Sequence, residues 1–185
     1  MSRYSITILS QEAPVQQPEP TTKTGVDLPI GIRRLNWGCG PCVAPGWINS
    51  DRLVGEDIDL SCDIRDGLPL ESGSIDYIAG IHVLQDVPYP DVVPVLRELH
   101  RVLKPVGVLR LGLPDLDKAI RAYLERDTGY FYIPDRDART PGGKLVAQLT
   151  WYGSVRTPFT HDCIEELLGK AGFRTVARCG FRETR

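Results

Sequence analysis

A glycine-rich turn, Gly38-Cys39-Gly40, follows directly on the apolar run Leu35-Asn36-Trp37, and two carboxylates, Asp51 and Asp63, close the next two apolar runs in order. Glycines at the end of a strand let the backbone bend sharply and approach a ligand that a side chain would exclude. At the next strand end, Asp51 can accept from two ribose hydroxyls. Asp63 can accept from an adenine amino group, with Ile64 packing on the ring. Each feature alone is equally well explained by a tight turn or a solvated turn residue. Their succession after three consecutive apolar runs points to one nucleoside held across three strand ends.

The elements that must position these residues follow from periodicity. Short apolar runs at 33–37, 47–51, 58–62, 75–80, 108–113 and 174–178 predict strands, and helical periods lie between several of them. The clearest helix spans 91–103, with Val92, Val95, Leu96, Leu99, Val102 and Leu103 at three- and four-residue steps; Pro94 falls in its first turn and Pro105 stops it. A second helix, 116–125, places Leu116, Ile120, Tyr123 and Leu124 on the side to be buried. A third runs from a Thr160 cap through Ile164, Leu167, Leu168 and Ala171 to a Gly172 stop. Alternating strands and helices predict an α/β fold, a mostly parallel central sheet flanked by helices. Residues 1–29, rich in Pro, Gln, Thr and Glu from Gln11 onward, read as an extended or disordered leader. The folded domain is expected over 30–185, with a polar, Pro- and Gly-punctuated insertion at about 127–150.

A chain of 185 residues suits a single core. Its 42% apolar and 25% charged residues are in the range of globular proteins, and a net charge of −2 without a basic stripe gives no footprint for nucleic acid. No segment approaches the ~20 apolar residues of a membrane span, and Tyr4 to Leu9 is too short for a signal-peptide core. Five cysteines without a disulfide spacing favour a reducing compartment, and the expected location is cytoplasmic. Cys39 and Cys42 form a C-x-x-C, but no second ligand pair supports zinc, and nucleoside binding already accounts for the glycines around Cys39.

A dinucleotide-binding oxidoreductase is the fold-level rival. It fits poorly, because Val43 stands where a third small residue belongs and Asp51 lies closer than the roughly 20 residues that fingerprint requires. The chain instead resembles the class I S-adenosylmethionine-dependent methyltransferases, in particular the small bacterial type-11-like family. The resemblance covers about 33–181. It rests on Leu35 to Pro41, Gly46 to Asp51, Cys62-Asp63 with Leu68-Pro69, Ser74 to Ile78 followed by His82-Val83-Leu84, and Leu96 to Pro114. Leu99 to Pro105 looks like the family's helix and turn before the fifth strand, and Leu167 to Phe173 like its last helix.

The resemblance implies a Rossmann-like methyltransferase fold with S-adenosyl-L-methionine over the first three strand ends and its methyl group toward the end of the fourth. Gly38, Cys39 and Gly40 then line the methionine part, with Asn36 at the first strand's end in place of an acid. Asp51 binds ribose, Asp63 and Ile64 contact adenine, and Gly80 and His82 border the methyl. His82 is the candidate general base for a hydroxyl acceptor, with His161 a distant second; packing and closure of the cofactor pocket is an equal role for His82. The expected acceptor is a small molecule or a saccharide. The 130–132 aromatics and the Trp151-Tyr152 pair are candidates for a lid over it.

Two departures bear on function: Val106 replaces a glycine of the family's Lys-Pro-Gly-Gly turn, and Gln85-Asp86 stands where relatives show Glu-His. The chain also stops just past the sixth expected strand, so either the sheet lacks its antiparallel seventh strand, leaving an edge open to a homodimer, or that edge is completed some other way. A non-catalytic, methyltransferase-like module with a structural or regulatory role is the alternative reading.

Overall fold

The computed structural model describes residues 3–9 and 31–180. Seven strands, β1 (Arg3–Leu9), β2 (Arg34–Trp37), β3 (Ile48–Asp51), β4 (Leu60–Ser61), β5 (Ile75–Ile81), β6 (Leu103–Pro114) and β7 (Thr175–Cys179), form one sheet in the order β4-β3-β2-β5-β6-β1-β7. Strands β2 to β6 pair in parallel, and β1 runs antiparallel between β6 and β7. The α/β sheet with flanking helices is therefore as expected. One expectation is corrected: the amino-terminal stretch is not all leader, because Arg3–Leu9 is a sheet strand; residues 10–30 lie outside those described. Of the two alternatives for the antiparallel strand, the second holds, because β1 supplies it.

The helices are α1 (Tyr89–Val102), α2 (Leu116–Leu124), α3 (Pro141–Thr150) and α4 (His161–Ala171). In α1 the expected apolar positions Val92, Val95, Leu96, Leu99 and Val102 are buried, while Leu103 falls in the next strand; α4 buries Ile164, Leu167, Leu168 and Ala171. These two helices pack on each other and, with Leu35, Ile78, Leu109, Leu111 and Leu113 of the sheet, make the main core. Helix α1 starts two residues before the expected boundary, so Pro94 lies inside it rather than in its first turn. The strand after it starts earlier than expected too, at Leu103, since Pro105 disfavours helical backbone at the residue before it. Gly172 closes α4 with φ +108°, in the left-handed conformation expected of a glycine stop. Thr160 does cap α4 by position, but its hydroxyl donates to Asp162 rather than accepting from the helix.

Helix α2 differs in the face it buries. Ala119 and Ala122 pack with Phe131, Leu145 and Leu149 in a second, small cluster, whereas Ile120, Tyr123 and Leu124 face outward. The reason is α3, which the expected loop conceals: Thr140 accepts from Gly143 N–H (3.0 Å) as its cap and Pro141 opens it. A close helix pair selects the alanine face over the bulky one. Lys144 is buried at this joint, its Nζ donating to Ile133 O (2.6 Å) and pairing with Asp135 (2.7 Å).

The 99–105 string has a structural use. Arg101 donates to Leu68 O and Leu70 O and pairs with Glu98, which accepts from Leu68 N–H, so the loop after β4 is tied to α1. Lys104 pairs with Asp76 at 2.7 Å, joining the starts of β5 and β6.

Candidate functional site

The carboxyl ends of β2, β3 and β4 lie side by side, as the nucleoside reading requires. Cys39 N–H donates to Ser50 O (3.1 Å) and Cys62 N–H to Asp51 O (2.9 Å), so each strand end is stitched to the next. Gly38 and Gly40 both adopt left-handed backbone, φ +62° and +50°. Their surroundings differ. A Cβ on Gly38 would sit 2.2 Å from Cγ2 of Val83, so that glycine makes room for the segment after β5; a Cβ on Gly40 would meet nothing within 4 Å. Only at Gly40 does the turn border open space.

Asp51 holds this turn. Its Oδ2 accepts from Gly40 N–H (2.9 Å) and its Oδ1 from Leu53 N–H (3.0 Å). Asn36 is equally engaged: its Nδ2 donates to Cys42 O (2.9 Å) and to Asn49 Oδ1 (3.0 Å), fixing the 42–44 loop on β3. Cys39 is buried, and its thiol pKa is pushed up by desolvation and by the carboxylate of Asp51. It is thus the opposite of an activated redox thiol.

Asp63 caps the short turn Ile64–Asp66, accepting from Arg65 N–H (3.0 Å). It also grips the Arg65 guanidinium, with Nη2 at 2.6 Å, and these bonds hold its carboxyl at about 2. Ile64 is buried in the main core. The second acid site is therefore brought to the right strand end, but much of its bonding capacity is used within the chain.

Gly80 pairs with Trp37 across β5 and β2, and a Cβ there would sit 2.7 Å from the indole ring. Two residues later His82 takes φ +57°, rare for a side-chain-bearing residue, while its N–H donates to Gly112 O (2.9 Å). His82 opens onto a cavity of about 320 Å³ at the carboxyl ends of β5 and β6. Of the residues expected at the site, His82 alone lines it. Tyr130, Tyr132 and Trp151 line it as well, which brings the expected aromatics of the insertion to one place; Phe131 is instead packed in the small cluster, and Tyr152 bonds Asp137 (2.8 Å). His161 begins α4, with its N–H on Asp117 (3.1 Å), and is not in the cavity wall.

Sequence reasoning missed the wall residues Asp115 and Gln148 and passed over Gln85 and Asp86 as departures. Asp115 carried a signal, since an acid directly after a strand and before an apolar helix is an N-cap; it accepts from Lys118 N–H at 3.0 Å.

Residues 36–111 match the family model described as a methyltransferase domain. Among solved structures, the chain is similar to a SAM-dependent methyltransferase from Thermotoga maritima, given as a possible histamine N-methyltransferase. The identity is 20%, covering 80% of this chain and 67% of that one, with a TM-score of 0.53. It is also similar to a SAM-dependent methyltransferase from Archaeoglobus fulgidus, at 16% identity, covering 78% of this chain and 62% of that one, with a TM-score of 0.52. The chain thus spans about two thirds of the length of these structures. No curated protein matches it. Among the described residues no helix is long and apolar enough to cross a membrane.

Proposed function

We propose that this chain is a class I S-adenosylmethionine-dependent methyltransferase, a reading supported by the family-model match over residues 36–111 and by the fold, and that it transfers the methyl group to a small-molecule or saccharide acceptor seated in the cavity beside His82. The observation that carries this reading is the aromatic-walled cavity past β5 that His82 lines, together with the open turn at Gly40 after β2, whose neighbour Gly38 packs on Val83 next to His82.

The residues present fit the cofactor. Gly40 borders space that a side chain would fill, and Asp51 stands beside it with a carboxylate able to take ribose hydroxyls in addition to the two N–H groups it already accepts. Asn36, Gly38 and Cys39 would shape the methionine end, Asp63 and Ile64 the adenine end, and Gly80 and His82 the methyl end. When bound, S-adenosylmethionine supplies an electrophilic methyl on a sulfonium whose thioether leaves in an in-line displacement.

The chain's own part is positioning. The cavity wall would align the acceptor atom, and such orientation supplies much of the rate for a transfer with a good leaving group. His82, fixed by its N–H to Gly112, would accept the acceptor's proton where that atom is a hydroxyl. Tyr130, Tyr132 and Trp151 would cover the acceptor.

Calorimetry with S-adenosylmethionine and S-adenosylhomocysteine tests the reading. Both are expected to bind, and Asp51→Asn is expected to weaken both. A wild-type protein that binds neither ends the proposal.

A further inference from the structure

The wall beyond His82 carries groups that methyl transfer itself does not use. Gln85 is 5% exposed, lines the cavity, and its Oε1 has no hydrogen bond among the described residues. Its main chain is fixed, because its carbonyl accepts from both Arg156 and Thr157 N–H at 2.9 Å. A buried amide oxygen with no donor from the chain, on a rigid segment at a cavity, calls for a partner that an occupant of the cavity can supply.

Asp86 stands next to it in the same wall. Its N–H donates to Val83 O (3.0 Å), but its carboxylate makes no hydrogen bond or ion pair among the described residues. Although the residue is exposed as a whole, desolvation pushes its carboxyl pKa up, against a weaker pull from Arg52 and Arg156. Asp115, the other acid of the wall, is already compensated, its buried carboxylate accepting from Arg178 Nη2 at 2.9 Å. Among the described residues that line the cavity there is no Lys or Arg.

These groups discriminate between acceptor chemistries. An anionic acceptor would meet Asp86 with no cation in the wall. A single neutral hydroxyl would satisfy Gln85 or Asp86 but leave the charge of Asp86 uncompensated. An ammonium donates to both and is also attracted by aromatic rings such as those of Tyr130, Tyr132 and Trp151. We propose that the acceptor is a small molecule carrying an ammonium group that is seated by Gln85 and Asp86 in this aromatic-walled cavity and serves as its anchor, the methyl going to another atom of the molecule that has a free lone pair. This inference rests on the cavity's being the acceptor pocket and narrows the acceptor to a cationic small molecule.

Calorimetry in saturating S-adenosylhomocysteine tests it with matched probes, 2-phenylethylamine against 2-phenylethanol and tryptamine against tryptophol. Each amine is expected to bind about tenfold more tightly than its alcohol, the factor given by 1.4 kcal/mol. In Asp86→Asn and Gln85→Met that preference should shrink while the affinity for S-adenosylhomocysteine stays at the wild-type value. Equal binding of amine and alcohol in both pairs, no binding of either amine, or an undiminished preference in Asp86→Asn would overturn the inference. Failure of S-adenosylhomocysteine itself to bind would sink the methyltransferase reading instead, and the amine preference would then be read on the unliganded protein.

Discussion

Val83 occupies the space that a side chain on Gly38 would need, with Cγ2 only 2.2 Å from where that Cβ would lie. The turn after β2 and the segment after β5, which carries His82, are thereby locked together. Gly38→Ala combines left-handed strain with a clash and is expected to destabilise the fold by about 2–4 kcal/mol. Gly40→Ala, strained but unobstructed, should cost about 1 kcal/mol. Urea unfolding of Gly38→Ala, Val83→Ala and the double variant should show a coupling on the order of 1 kcal/mol, because Val83→Ala relieves the clash. Strict additivity would contradict the contact.

Asp51 has two duties, and they can be separated. Asp51→Ala removes a charge-assisted acceptor from Gly40 and Leu53 N–H and should cost about 1.5–3 kcal/mol in thermal unfolding. Asp51→Asn keeps one carbonyl acceptor for the turn, so its stability loss should be the smaller of the two. Its cofactor affinity should still fall, as an amide offers ribose hydroxyls a weaker acceptor. Equal stability losses in the two variants would argue against the clamp.

The pH dependence has two separate windows. Asp63 has its pKa lowered from 3.8 to about 2 by its bonds to Arg65, so its stabilisation is present above pH 3.8 and is lost as pH falls toward 2. The pair is partly in solvent, with side chains 28% and 48% exposed, and its contribution should stay below about 1 kcal/mol. His100 is the opposite chemical type with the same sign. Burial lowers its pKa from 6.5, so the folded state resists protonation, and stability present above 6.5 declines as pH falls below it. Denaturation midpoints from pH 7.5 to 5 should therefore drop in the wild type and drop less in His100→Gln, while Arg65→Gln should flatten only the window below pH 4.

Much of this arrangement was legible in the sequence because local and tertiary signals agreed. The α1 apolar stripe, the Gly172 stop and the order of glycine turn, Asp51 and Asp63 all sit where periodicity and turn chemistry put them. The misses arose where a local reading lacked its partner. Ile120, Tyr123 and Leu124 looked like a buried face, but α3 selected the alanines instead. Helix α3 had its Thr-Pro start in plain view, masked by Gly142 and Gly143. The spacing of Asp63 says nothing of Arg65, two residues on, which takes up its carboxylate. Strand β1 carried an alternating run with Ile6 and Ile8, outweighed by the polar stretch behind it.

Deleting residues 1–9 should expose the backbone edges of β6 and β7 together. The expected outcome is association or aggregation at concentrations where the full chain stays dispersed, measured by light scattering. A truncated chain that remains dispersed with an unchanged unfolding midpoint would count against β1 as a sheet strand.

The position of β1 also sets the order in which the chain can mature. Its two neighbours are both made after it, and β7 is the latest strand among the described residues, so β1 must wait for it before its second edge is satisfied. Pairings between such distant segments close slowly. The region from β2 to β6 with α1 can collapse first around its own core, and the sheet is sealed only when synthesis reaches β7.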